Sequence, residues 1–377
     1  MIENNYEKEI NKLKELKNII NNLPNNKMKM MLIYNYESLA DYLIELGYLE
    51  SDFIEKAIPI DYEEYEKKFS KIEDGKYFES FYNNYDLIYK IINDNVELHK
   101  KHELQLLYSS RNVYRKINGK DLQKIMDNFF ISLGLDVYNI YQKIGNNFLT
   151  FANFNDNRYL GFTFDVSMSD YPRVIVDSKR NLYQVGETLA HEIGHCYDMV
   201  RNKTNYNLYR YNLLVEVPSI LFQKLFNLFL YETPYYQNDA LNNMLNWKYT
   251  VMAMSLGCSL IPNTSFYGRE DKLDYNSEFA FLFECSGILD ENLLKAIEIH
   301  PVSFENFRYV IGDTIANNLI NIYKNNPKEG LKEIKNFIAT IHQYTVKEQL
   351  ERYGNISNES EKEIQKLYQF QKNKLYL

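Results

Sequence analysis

Apolar residues recur at three- and four-residue intervals along most of the chain, with charged residues between them, which is the patterning of amphipathic helices. From Tyr6 to about Lys143 this period holds almost throughout. Leu13, Leu16, Ile19 and Ile20 form one apolar face, and the run from Leu32 to Leu46 forms another, closed by Gly47 as a helix C-cap. Between about Asn147 and Asp177 the pattern changes to short extended segments, 148–151, 159–164 and 173–177, separated by Asn, Asp, Ser and Pro. Helical spacing then resumes. Asn181 and Gln184 have the spacing of an N-cap with a reciprocal partner three residues on. Val185, Leu189, Ile193, Cys196 and Val200 follow as an apolar stripe, while Glu187, Thr188, His191, Glu192, His195 and Asp198 share the other side. Further helices follow Glu216, with a break near Pro262–Gly268. Asn326-Pro327 opens another helix with proline in its first turn, and Asn355–Glu361 reads as a charged disordered tail. The expectation is a mainly α fold with a small β element, divided into a helical N-terminal lobe (1–145) and a second lobe (146–377).

Composition agrees and narrows the partners. The 377 residues include only 14 Gly and 8 Pro, which favours long helices over turn-rich hairpins. A net charge of −8 repels phosphate backbones and anionic lipid, so neither nucleic acid nor membrane is expected as a partner. The N-terminus lacks a basic segment followed by an apolar core, and the expectation is a cytoplasmic protein. Three widely spaced cysteines, Cys196, Cys258 and Cys285, suit buried reduced thiols. His99 and His102, separated by two lysines, read as surface histidines, and the charge cluster 61–68 as a solvated helix face.

The chemistry is concentrated in Thr188-Leu-Ala-His191-Glu192-Ile-Gly-His195, an H-E-x-x-H pattern. Histidines four apart lie one turn apart on one helix face, so both imidazoles reach a single Zn2+ ion. Glu192 is rotated about 100° from His191, outside the ligand set but beside it, where a general base belongs. A catalytic zinc needs a third protein ligand. Metzincins would place Gly and His where this chain has Asp198 and Arg201. Glu216, set in the apolar run Leu213–Phe222, supplies a gluzincin-like ligand, because a carboxylate buried there needs a charged partner or a metal. Asp198 has the spacing to orient His195.

Thr188–His195 followed by Glu216-Val-Pro-Ser219 resembles the paired signature of the thimet oligopeptidase and oligoendopeptidase F family of zinc metallopeptidases, H-E-x-G-H with a later E-x-P-S. Asn306-Phe-Arg-Tyr309-Val-Ile-Gly312 is similar to that family's tyrosine-bearing helix. The resemblance implies a two-lobed gluzincin-type endopeptidase for short peptides, with Tyr309 holding the substrate carbonyl; Phe307 stands where the family often has a second tyrosine. His300, nine residues earlier, is a further candidate donor to the carbonyl oxygen. An exopeptidase, or a zinc-retaining peptide-binding protein, is the competing reading. The β element preceding the zinc helix could pair with an extended peptide or be purely structural. Oligomeric state is not legible in the chain.

Overall fold

The structure, a computed structural model, describes residues 6–22, 36, 39–50, 83–101, 114–152, 160–164, 171–202, 213–259, 306–341 and 343–375. In chain order the helices are α1 (Tyr6–Asn22), α2 (Tyr85–Lys101), α3 (Gly119–Leu133) and α4 (Leu135–Asn147). Strands β1 (Leu149–Ala152), β2 (Gly161–Phe164) and β3 (Arg173–Asp177) follow. Helices α5 (Leu182–Arg201), α6 (Val217–Glu232), α7 (Gln237–Ser259), α8 (Asn306–Asn325), α9 (Pro327–Thr340), α10 (Val346–Tyr353) and α11 (Asn358–Leu375) complete them. The fold is mainly α, as the periodicity predicts. His102, Cys285, His300, the cluster 61–68 and the 262–268 break lie outside the described residues, as does the side chain of His99.

The caps explain several boundaries. Gly47 takes φ 76°, and its N–H and that of Tyr48 donate to Ile44 and Leu43, so the left-handed residue closes the preceding helical segment as expected. Asn181 Oδ1 accepts from the backbone N–H groups of Tyr183 and Gln184, both at 3.1 Å. The return bond differs from the expected reciprocal cap: Gln184 meets the Asn181 side chain and not its backbone. Asn326 Oδ1 likewise accepts from Glu329 N ahead of Pro327. The stretch 355–361 is not a tail. The backbone N–H of Ser360 donates to Ser357 Oγ at 3.3 Å, so the polar cluster belongs to the start of α11, which buries Ile364 and Leu367.

The three strands form one sheet in the order β1-β3-β2, parallel between β1 and β3 and antiparallel between β2 and β3. Every residue of β3 is buried, and alternation sends successive side chains to opposite faces. Val174 and Val176 join the main core, which extends from Ile88 to Tyr353, whereas Ile175 joins a second cluster with Leu13 and Ile20 of α1 and Leu39 and Leu43 of the segment 39–45. Arg173, 2% exposed, donates to Glu9 of α1 at 2.9 and 3.1 Å and stacks over Phe148. The sheet therefore lies between α5 on one face and α1 on the other.

A buried ionic knot joins α6, α7 and α8. Asp313 accepts from Lys224 (2.6 Å), Lys248 (3.0 Å), Trp247 Nε1 (2.7 Å) and Asn317 (2.9 Å). Burial alone would raise this carboxyl; the two lysines and the indole hold it well below the usual carboxylate range. Among the described residues no helix is long and apolar enough to cross a membrane.

Candidate metal centre

Helix α5 carries His191 and His195 one turn apart, and their imidazole rings lie 5.1 Å apart, edge to face. The apolar stripe opposite them is buried, so the histidine face is fixed toward α6. There the turn 213–216 delivers Glu216 as the residue that caps α6, with Pro218 in the first turn where its missing N–H costs nothing. The two helices meet backbone to backbone. A Cβ built on Gly194 would stand 2.6 Å from Pro218 O and 2.7 Å from Ser219 Cα, so any larger residue at the fourth position of H-E-x-G-H would push Glu216 away from the histidines.

The result is a convergent donor set. Nε2 of His191 and Nε2 of His195 each lie 3.4 Å from the same oxygen, Glu216 Oε2. The three donor atoms fall within 4.8 Å of one another, a group able to hold a metal ion. Burial opposes the charge on Glu216, but the His195 charge and hydrogen bonds to both imidazoles more than reverse this and hold the carboxyl well below its usual range. Burial likewise opposes the His191 cation. The bond to Glu216 and the charges of Glu192 and Glu216 outweigh it and raise the imidazole to about 9. Ser219, fully buried, places its hydroxyl 2.9 Å from Glu216 O and 3.1 Å from Oε2, sharing one proton between them.

Glu192 is buried beside this set, facing the sheet. Its Oε2 accepts from Thr163 Oγ1 at 2.6 Å, and Gly161 lies so close that a Cβ there would be 2.8 Å from Oε1. Strand β2 is thus pressed onto the glutamate of the motif. On the other side of His191, Nδ1 lies 3.0 Å from Gln223 Oε1, and Gln223 Nε2 donates to Glu187 at 3.1 Å. Burial pushes the Glu187 carboxyl up, against the pull of its Asn227 and Gln223 hydrogen bonds.

Tyr309 is half-buried on α8, with its ring edge-on to Trp247 at 6.4 Å. It lies one turn before Gly312, where a Cβ would be 3.3 Å from Glu216 Cβ, so α8 passes close beside Glu216. Phe307 is fully buried against Tyr89, a core residue that does not stand in for a second tyrosine. Asp198 is fully buried and accepts from Asn202 at 2.6 Å. Thr163 and Gln223 escaped the sequence reading. Gln223 carried a signal: it interrupts an apolar helix seven residues after Glu216, two turns along the same face.

No protein-family profile matches the chain, and no curated protein matches it. Among solved structures, a candidate oligoendopeptidase F from Bacillus anthracis str. Ames matches at a TM-score of 0.52 and 12% identity, over 93% of this chain and 64% of that one. A candidate peptidase from Chlamydophila abortus matches at a TM-score of 0.49 and 17% identity, over 78% of this chain and 57% of that one. The chain spans less than two thirds of the length of either. At 12% identity the shared property is architecture: this chain has the fold of the Bacillus anthracis structure.

Proposed function

We propose that the protein is a zinc-dependent endopeptidase that cleaves internal bonds of short unstructured peptides, acting in the cytoplasm as an oligoendopeptidase F-like enzyme. The observation that carries this reading is the convergence of His191, His195 and Glu216, with Glu192 alongside but outside the set. Two imidazoles and one carboxylate are a catalytic zinc donor set, and ligand bonds of about 2.0–2.1 Å in a tetrahedron place donor atoms roughly 3.4 Å apart. Both histidine-to-Glu216 distances are 3.4 Å, which fits. When bound, zinc supplies Lewis acidity, acidifying water and polarising the scissile carbonyl.

The remaining work belongs to side chains of this chain. Glu192 takes the proton of the attacking water and passes it to the leaving amine as the C–N bond breaks. Thr163 holds that carboxylate in place by its 2.6 Å bond. Tyr309 donates to the carbonyl oxygen as negative charge develops, with His300 as a further candidate donor. Strand β2 pairs only with β3 among the described strands, and its second edge is suited to main-chain bonds with an extended peptide, independent of the peptide's sequence. We place the substrate groove between the lobes 1–145 and 146–377.

Metal analysis combined with digestion of a peptide library tests the reading. One zinc per chain with internal cleavage of short peptides is expected. Stepwise loss of terminal residues points to an exopeptidase, and zinc without cleavage to a binding protein.

A further inference from the structure

Behind His191 lies a chain of carboxamides whose directions are fixed by what each must meet. Glu187 Oε1 accepts from Gln223 Nε2 at 3.1 Å and from Asn227 Nδ2 at 2.7 Å. Asn243 Nδ2 in turn donates to Asn227 Oδ1 at 3.1 Å. Oxygen and nitrogen of an amide are assigned from such partners. A carboxylate oxygen accepts, so both amide nitrogens turn toward Glu187 Oε1, and the bond from Asn243 Nδ2 to Asn227 Oδ1 agrees with that sense. Gln223 therefore presents its oxygen to His191, 3.0 Å from Nδ1. An amide oxygen accepts and cannot donate, so the ring hydrogen must be on Nδ1.

Resting on the zinc reading above, we propose that Gln223 is the positioning residue for His191: its oxygen fixes the rotation of the ring through the Nδ1–H bond and leaves Nε2 as the lone-pair donor beside Glu216, while Glu187 and Asn227 hold the carboxamide in that sense. The relay needs tertiary contact between α5 and α6. Its polar members, Gln223 and Asn227 on α6 and Asn243 on α7, are buried, where an ordinary helix position would carry an apolar side chain. Hydrogen bonds to the distal nitrogen of a metal-binding histidine orient it and raise its basicity as a ligand.

The test compares the full-length wild type, Gln223→Leu, and the exchange Glu187→Gln with Gln223→Glu. Zinc affinity is measured by competition with a chromogenic chelator, and the metal-free melting temperature of each protein reports folding. The leucine variant removes the acceptor and should bind zinc about 10–100-fold more weakly. In the exchange variant the carboxylate now on α6 accepts from His191, and the amide now on α5 donates to that carboxylate, so affinity should stay within about threefold of wild type. A folded leucine variant with wild-type affinity overturns the proposal, as does a folded exchange variant that loses zinc; if the leucine variant does not fold, the exchange variant decides. A wild type that binds no zinc overturns the metallopeptidase reading itself, an outcome distinct from wild-type binding that is indifferent to Gln223.

Discussion

Replacing Gly194 with alanine adds one methyl at the point where α5 and α6 touch. That methyl would start 2.6 Å from Pro218 O, 2.7 Å from Ser219 Cα and 2.9 Å from Pro218 C, all backbone atoms that no rotamer change can move. Reaching an ordinary contact of 3.4 Å requires a separation of 3.4 − 2.6 = 0.8 Å between the helices at that point. Overpacking of this kind costs about 1–3 kcal/mol, while alanine's better helix propensity returns about 1 kcal/mol. The expected net loss is about 0–2 kcal/mol in the metal-free protein, read from the urea midpoint at constant slope. The effect on metal should be larger in proportion. Glu216 lies two residues before Pro218 on the same turn, and ligand distances tolerate only about 0.2 Å. Zinc affinity should therefore drop by at least about tenfold. Gly145, whose Cβ would meet nothing within 4 Å, is the control; Gly145→Ala should gain about 0.4–1 kcal/mol and leave zinc binding alone. A Gly194→Ala protein with wild-type zinc affinity would refute the idea that this contact sets the donor spacing.

Four further outcomes are expected. Glu192→Gln should retain zinc and lose hydrolysis of a quenched fluorescent peptide by several orders of magnitude, whereas Glu216→Ala should lose zinc; near wild-type turnover in the first would remove Glu192 as base. Tyr309→Phe should lower kcat by about 10²–10³ with little change in KM, and an unchanged kcat would make Tyr309 structural. The proton on His191 must leave before metal binds, so zinc affinity should climb with pH toward about 9 and flatten beyond. The same group, raised from 6.5, stabilises the metal-free fold fully below about pH 6.5 and loses that contribution as pH rises through about 9. Chelator competition across the neutral and mildly alkaline range checks the first claim, and a profile already flat at neutral pH contradicts it. Asp313→Asn leaves Lys224 and Lys248 buried without their shared carboxylate and should cost about 3–5 kcal/mol in urea unfolding; a loss under about 1 kcal/mol would mean the knot is dispensable.

What was legible in the sequence was what short-range spacing encodes. The i, i+4 histidines, the apolar stripe opposite them and the Asn181 cap are local, and the structure shows all three where the periodicity puts them. Glu216 was readable for a different reason: a carboxylate in an apolar run demands a partner, and His191 and His195 meet it. Thr163 gave no such signal, because a threonine in an extended segment is what any strand prefers, and only the register of β2 on β3 brings it to Glu192. Glu187 was seen on the polar face, but its pairing with Gln223 depends on how two helices cross. The misreading at 355–361 came from taking a charged stretch for a tail where its Ser357 caps a helix.

The position of α1 has a consequence for how the chain is made. Arg173 and Glu9 are 164 positions apart, and Ile175 is covered by Leu13 and Ile20 of the same helix. Contacts of that sequence separation close a long loop and form late. During synthesis α1 emerges well before β3, yet the surface that receives it is complete only once β3 has left the ribosome. Leu39 and Leu43 can cover part of its apolar face early, but the part that meets Ile175 waits while roughly 150 further residues are added, about 8–30 s at typical elongation rates. Helix α1 is thus made long before β3 gives it its place, and slow synthesis between the two is the condition that most exposes its apolar face to aggregation.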